Sequence, residues 1–257
     1  MRRLALVMLV CGACGDDDGL GGNDAGGRGT PDAAARTDAF VPTDGSGPPP
    51  DATSPTSCEG LTQWEQKMLE AHNRWRAEVE PPAEGMLRVR WDRTIAANAA
   101  AWVASCDPKW PHSPEASRTD VGGYDVLGEN LSYCGGTGCA DDPSITDGSG
   151  RGDGEGWWEE RLDYEWATDT SRGVTSHYTQ MVSSNVYAIG CATQRCDAPG
   201  PGGWDGEWWW TICQYGPRGQ AYWTGTKPYE RGEGGLVEPS ETVFDLHPGL
   251  CRERLDP

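Results

Sequence analysis

Ten cysteines stand in this chain of 257 residues, and their placement restricts its fold more than any other feature. Cys11 and Cys14 fall in the first fourteen residues, whereas Cys58, Cys106, Cys134, Cys139, Cys191, Cys196, Cys213 and Cys251 are spread over the remainder. Eight is an even set, and in an exported chain an even set reads as a disulfide framework whose pairing spacing alone leaves open. Such a framework needs an oxidising compartment, so export is the first question.

The N-terminus supports export. Arg2-Arg3 is followed by the apolar run Leu4 to Val10 and then Cys11-Gly12-Ala13-Cys14, a positive start, a short apolar stretch and a small-residue cleavage site at residues 1–13. The run is far below the roughly 20 residues a membrane-spanning helix needs. Gly12-Ala13-Cys14 resembles a bacterial lipobox, which makes Cys14 the lipidation site, with ordinary cleavage and release as the alternative. Residues 14–57 are rich in Asp, Gly, Ala, Pro and Thr, with Leu20, Phe40 and Val41 as the sizeable apolar side chains. So little apolar surface cannot offset the entropy of ordering, and the segment reads as a disordered linker reaching about 35 to 40 Å.

Residues 58–257 are enough for one domain with a substantial core and an acidic C-terminal extension. The formal net charge is -19, or -21 once Arg2 and Arg3 leave with the signal. That excess argues against nucleic acid and against anionic membranes, leaving the lipid anchor as the membrane contact. The chain is expected to be a monomer.

Thr62-Gln63-Trp64-Glu65 fits a capping box, and Leu61, Trp64, Met68, His72, Trp75 and Val79 follow at helical spacing until Pro81-Pro82. Asp92 is a fair N-cap for a second helix with Ile95, Ala99, Trp102, Val103 and Cys106 on one side. A loop is predicted from Asp107 to about Gly123, a third helix over Gly156 to Trp166 and a short fourth over Thr175 to Val182. Val186 to Thr193 and Glu207 to Tyr215 read as a strand hairpin around the loop Pro199 to Gly203. Trp208, Trp209 and Trp210 cannot share one face of a strand, so at least one points outward or is covered. Helices followed by strands imply a layered α+β domain.

Several segments resemble, in order, the CAP family of cysteine-rich secretory proteins, insect venom antigens and plant pathogenesis-related proteins. They are His72-Asn73 with Arg76, Asn98 to Trp102 with Cys106, His112-Ser113, Gly128-Glu129-Asn130-Leu131 and Trp157 with Glu160 and Tyr164. His177-Tyr178-Thr179-Gln180, Ile189-Gly190-Cys191-Ala192 and Cys213-Gln214-Tyr215 through Gln220 complete the match. The chain departs from the family at Ser176, Ser183 and Gln220. The resemblance implies an α+β three-layer α-β-α sandwich stapled by disulfides, with His112, Glu129, Glu160 and His177 around a central cleft. It also implies the bridges Cys106–Cys196 and Cys191–Cys213. Cys134 and Cys139 are close enough to pair locally, which leaves Cys58 and Cys251 as a clip between the ends.

Two imidazoles and two carboxylates in one cleft can bind Zn²⁺ or another divalent cation and activate a water; equally, they can satisfy one another as a buried polar network. The family points to a binding module for a small hydrophobic ligand, a sterol or fatty acid, or for an extracellular protein. A metal-dependent hydrolase or protease in the same cleft is the alternative, with Ser113 and Ser176 beside the histidines as serine candidates. Of the remaining signals, His72 reads as a packed structural residue and His247 as a solvated one. Asp147 to Glu155 only superficially resembles a calcium loop and contains Arg151-Gly152-Asp153 by composition.

Overall fold

A computed structural model describes residues 58–109, 111–135, 156–219 and 226–252. The expected signal, the linker, Cys139 and the Asp147–Glu155 loop lie outside the described residues. The helices are α1 (Gln63–Ala77), α2 (Arg93–Val103), α3 (Ser176–Met181) and α4 (Glu241–Leu246). The strands are β1 (Arg90–Trp91), β2 (Thr119–Val121), β3 (Tyr124–Val126), β4 (Gly128–Gly135), β5 (Tyr164–Glu165), β6 (Thr170–Ser171), β7 (Ala188–Cys196) and β8 (Trp208–Gly216). A four-stranded sheet in the order β1-β7-β8-β4 is the middle layer. β7 pairs antiparallel with β8, and β8 with β4, whereas β1 runs parallel to β7.

Side-chain alternation along β8 divides the core in two. Trp208, Trp210 and Ile212 meet Ala99 and Val103 of α2, while Cys213 and Tyr215 meet Met68 and Leu69 of α1 and Met181 of α3. Trp208 and Trp210 are therefore buried beneath α2, and Trp209, on the opposite face, is only half-buried. At Gly190 a Cβ would collide with the backbone of Ile95 and Ala96, so its absence lets α2 rest directly on β7.

Local signals set the helix starts. Thr62 and Glu65 form the reciprocal capping box of α1, and Asp92 accepts from Thr94 N and Ile95 N at the start of α2. α1 is then tied down by Arg76, whose fully buried guanidinium donates to the carbonyls of Leu87, Met181, Ser183 and Val186. Burial pulls its pKa well below the usual guanidinium range, to about 9, so it stays charged at neutral pH.

Three expectations are corrected. The predicted helix over Gly156–Trp166 is a 3₁₀ turn (Glu159–Asp163) followed by β5, because Tyr164 and Glu165 pair with Ser171 and Thr170 and their backbone groups are spent on that ladder. The predicted loop before Gly123 contains a 3₁₀ turn at Glu115–Ser117 and then β2, which pairs with β3. His247 is buried, not solvated: it stacks on Tyr124 at 3.8 Å, accepts from the Tyr187 hydroxyl through Nε2 and donates through Nδ1 to the Gly122 carbonyl. Its acidic surroundings misled because the C-terminal segment folds back, Arg93 N donating to Gly249 O and Cys251 N to Trp91 O.

Cys106–Cys196 and Cys191–Cys213 are disulfides, and Cys134 is disulfide-bonded. Cys58 and Cys251 are brought together as expected, but as two buried thiols in hydrogen-bond contact and not as a bond. Oxidised glutathione is expected to link them. Peptide mapping should then show a Cys58–Cys251 cross-link, with a gain of at most about 5 kcal/mol that Cys58→Ser abolishes. Two alkylatable thiols persisting after oxidation would disprove the clip.

Candidate functional site

The four cleft residues assemble as two histidine–carboxylate pairs, His112 with Glu129 and His177 with Glu160. Glu129 lies opposite Gln214 on β8, while its neighbour Asn130 lies opposite Cys213 and so projects to the other face. On the α2 side, His112 Nδ1 donates to Glu129 Oε1 at 2.8 Å. Ser113 donates to the same carboxylate through its backbone N at 2.9 Å and its hydroxyl at 2.5 Å. Gln214 Nε2 adds a further bond at 2.9 Å and is itself held by Asn98 of α2 at 2.8 Å. Burial pushes the Glu129 carboxyl up, but the bonds from His112, Gln214 and Ser113, with the charge of His112, outweigh it and hold the pKa below the usual range. Glu129 is buried, whereas His112 is 42% exposed in its side chain.

On the α1 side, His177 Nδ1 donates to Glu160 Oε1 at 2.5 Å. Glu160 Oε2 also accepts from His177 N and Tyr178 N. Thr175 gives α3 no side-chain cap, so Glu160 supplies the missing acceptor from a distant segment. That segment is fixed by its aromatics. Trp158 stacks on Trp75 of α1 at 4.6 Å and Trp157 stacks on the His177 ring at 5.7 Å.

A buried chain of hydrogen bonds connects this half to the core. Asn130 Nδ2 donates to the His177 carbonyl and to the Tyr215 hydroxyl, which meets His72 Nε2 at 3.0 Å. His72 Nδ1 lies 2.7 Å from Met68 O. A carbonyl can only accept, so Nδ1 carries the proton and Nε2 accepts from Tyr215. His72 is thus the packed structural residue its helical position indicated.

Both carboxylates are engaged through both oxygens. Glu129 accepts four hydrogen bonds and Glu160 three, so the donors left for a cation are His112 Nε2 and His177 Nε2, with the glutamates behind the rings fixing their tautomers. Among the described residues no group of three or more His, Cys, Asp or Glu is spaced to hold a metal ion. As for the serine candidates, Ser113 donates to Glu129 and not to a histidine, while Ser176 is the first residue of α3. The supporting roles of Gln214, Asn98 and Asn130 were not foreseen as such; the signal that could have marked them was their place inside the matched segments.

A family model described as the cysteine-rich secretory protein family, CAP, matches residues 69–215. Glioma pathogenesis-related protein 1 of Mus musculus is 34% identical over 167 residues, covering 65% of this chain and 56% of its own length. Peptidase inhibitor 16 of Mus musculus is 35% identical over 184 residues, 70% of this chain and 32% of its own length. A cysteine-rich venom protein of Varanus varius is 31% identical over 189 residues, 73% of this chain and 72% of its own length. The chain thus spans about half and about a third of the two mouse relatives. Among solved structures, venom allergen-like protein 4 of Schistosoma mansoni aligns with a TM-score of 0.51 at 19% identity, over 67% of this chain and 97% of its own. That likeness establishes the three-layer α-β-α fold.

His72 makes this arrangement acid-sensitive. Burial first, and the nearby Arg76 charge second, lower its pKa from 6.5 to about 4, against the opposing Met68 bond. Between those values the unfolded chain binds more protons than the folded one, so stability falls as pH drops below about 6.5 and levels off near 4. The loss is about 3 kcal/mol. Urea unfolding at pH 7 and pH 4.5 should show it in the native protein, and His72→Gln should be less pH-dependent by a similar amount.

Proposed function

This chain belongs to the cysteine-rich secretory protein (CAP) family, and we propose on that premise that it works outside the cytoplasm as a binding module, not as a hydrolase. Its occupant is a small hydrophobic ligand, the sterol or fatty-acid class the family resemblance points to, or an extracellular protein. The observation that carries this reading is the engagement of Glu129 and Glu160, which accept four and three hydrogen bonds: neither carboxylate has an oxygen free of hydrogen bonds with which to act as a base. Ser113 supports it too, because a serine nucleophile needs its hydroxyl bonded to a histidine.

A divalent cation such as Zn²⁺ would supply a Lewis acid at this site. The nitrogens that would hold it are His112 Nε2 and His177 Nε2, oriented by Glu129 and Glu160. Two protein ligands would hold such an ion only weakly. Calorimetric titration with zinc chloride should show binding that the double substitution His112→Ala, His177→Ala removes and Glu160→Gln weakens by about tenfold. Ester and peptide substrates should not turn over. Zinc binding unchanged in the double variant, or turnover lost with it, would reverse the assignment.

The N-terminal reading completes the proposal: Cys14 carries a lipid and residues 14–57 hold the domain away from the membrane. The secreted character that the names of several relatives print supports export. Cys14→Ser should move the protein from the membrane fraction to the soluble one. An unchanged distribution, with no lipid on Cys14 by mass spectrometry, would rule out the anchor.

A further inference from the structure

Among the described residues the sheet leaves one strand edge without a partner strand beside a cavity, and its chemistry points to an occupant. β1 pairs with β7 only at Ala188 and Ile189, after which the chain turns away into α2 while β7 continues to Cys196. The direction of the unpaired groups follows from the register. Cys191 and Cys213 face each other with their Cα atoms 4.0 Å apart, the close spacing of a non-hydrogen-bonded antiparallel pair, so their backbone groups point away from one another. The Ile189 carbonyl confirms the sense, because it accepts from Asp92 N on the β1 side. Thr193, four residues further on, points its N–H and C=O the same way. Among the described residues, no hydrogen bond outside the sheet ladders reaches the Thr193 backbone.

A cavity of about 390 Å³ lies at that edge. It is lined by Cys191 and Thr193, whose side chains share one face of β7, and by Ala192 from the other face, so it opens onto the edge and not onto either face. Ala96, Ala97 and Ala100 of α2 form one wall, and Trp64 at the start of α1 stands on the other. Alanines leave room for a second backbone to approach. The run from Cys191 to Arg195 contains no proline or lysine, the residues that commonly blunt an edge strand. Disulfides at Cys191 and Cys196 hold the strand straight, so little ordering cost attends its use.

We propose that this edge receives an extended segment of a partner polypeptide, which adds a strand to β7 beyond the end of β1. A row of alternating N–H and C=O groups is matched by another peptide backbone, as in other cases of strand addition. The outward backbone groups of Cys191 and Thr193, with Arg195 N, set the length at about five residues, Arg195 O being already taken by Gln194 Nε2 at 2.7 Å. The formal net charge of -19 selects a neutral or basic segment over an acidic one. The proposal is independent of the histidine–carboxylate pairs.

Hydrogen exchange in the intact protein tests the premise. The Thr193 amide should exchange fast while those of Ala192 and Gln194, bonded into the β8 ladder, exchange slowly. The probe is an array of end-capped five-residue peptides, neutral or basic, with Val, Ile or Thr at alternate positions. Binders should protect Thr193, and N-methylation of alternate peptide nitrogens should weaken them by about tenfold or more. Thr193→Pro removes an outward N–H without costing a β8 bond, so it should lose the peptides while still folding. The proposal is overturned by slow Thr193 exchange in the free protein, by an array with no binder tighter than about 1 mM, or by binders indifferent to N-methylation. Protection that rises with protein concentration alone would give the edge to a second copy and also overturn it.

Discussion

The domain turns on a buried charge that is met by carbonyls and, among the described residues, by no carboxylate. Arg76 lies in α1, fully buried, and its guanidinium is surrounded by carbonyl oxygens from Leu87, Met181, Ser183 and Val186. Those four residues come from the connection after α1, the end of α3 and the approach to β7, so one planar side chain fixes three separately folded segments against α1. Removing a buried cation's partners, or the cation itself, leaves several desolvated groups unmatched, which costs several kcal/mol. A lysine cannot substitute, because a single ammonium lacks the forked geometry that spans four acceptors.

With α1, α3 and β7 fixed in this way, the positions of the cleft side chains follow. The end of α3 is held by Arg76 and its start by Glu160, so His177 is pinned between two anchors of opposite charge. His112 has a different support, a loop tied through Ser113 and Glu129 to the sheet and through Gln214 to α2. The two imidazoles are therefore presented by independent supports. Each is oriented by a carboxylate whose two oxygens both already accept hydrogen bonds. This favours recognition over proton transfer, since a carboxylate that moved to accept a substrate proton would break several bonds at once.

The two edges of the sheet contrast in the same way. β4, at one edge, carries Glu129 and Asn130 and is wrapped by the histidine pairs, whereas β7 is covered by β1 for only two residues. Cross-linking at Cys191 and Cys196 makes that uncovered stretch rigid without hiding it.

Local chemistry wrote part of this into the chain. The capping box at Thr62, the cap at Asp92, the helical period of α1 and the alternation along Trp208 to Tyr215 depend on neighbours within a few residues, and so they were legible. The matched family segments likewise identified His112, Glu129, Glu160 and His177 as companions, and Cys106 with Cys196 and Cys191 with Cys213 as bridges. What the linear order could not contain was which carboxylate each histidine would meet, the return of the C-terminal segment that buries His247, and the use of Tyr164 and Glu165 in a strand. Those outcomes depend on hydrogen bonds between residues far apart in sequence, and only a packed sheet brings such partners within reach.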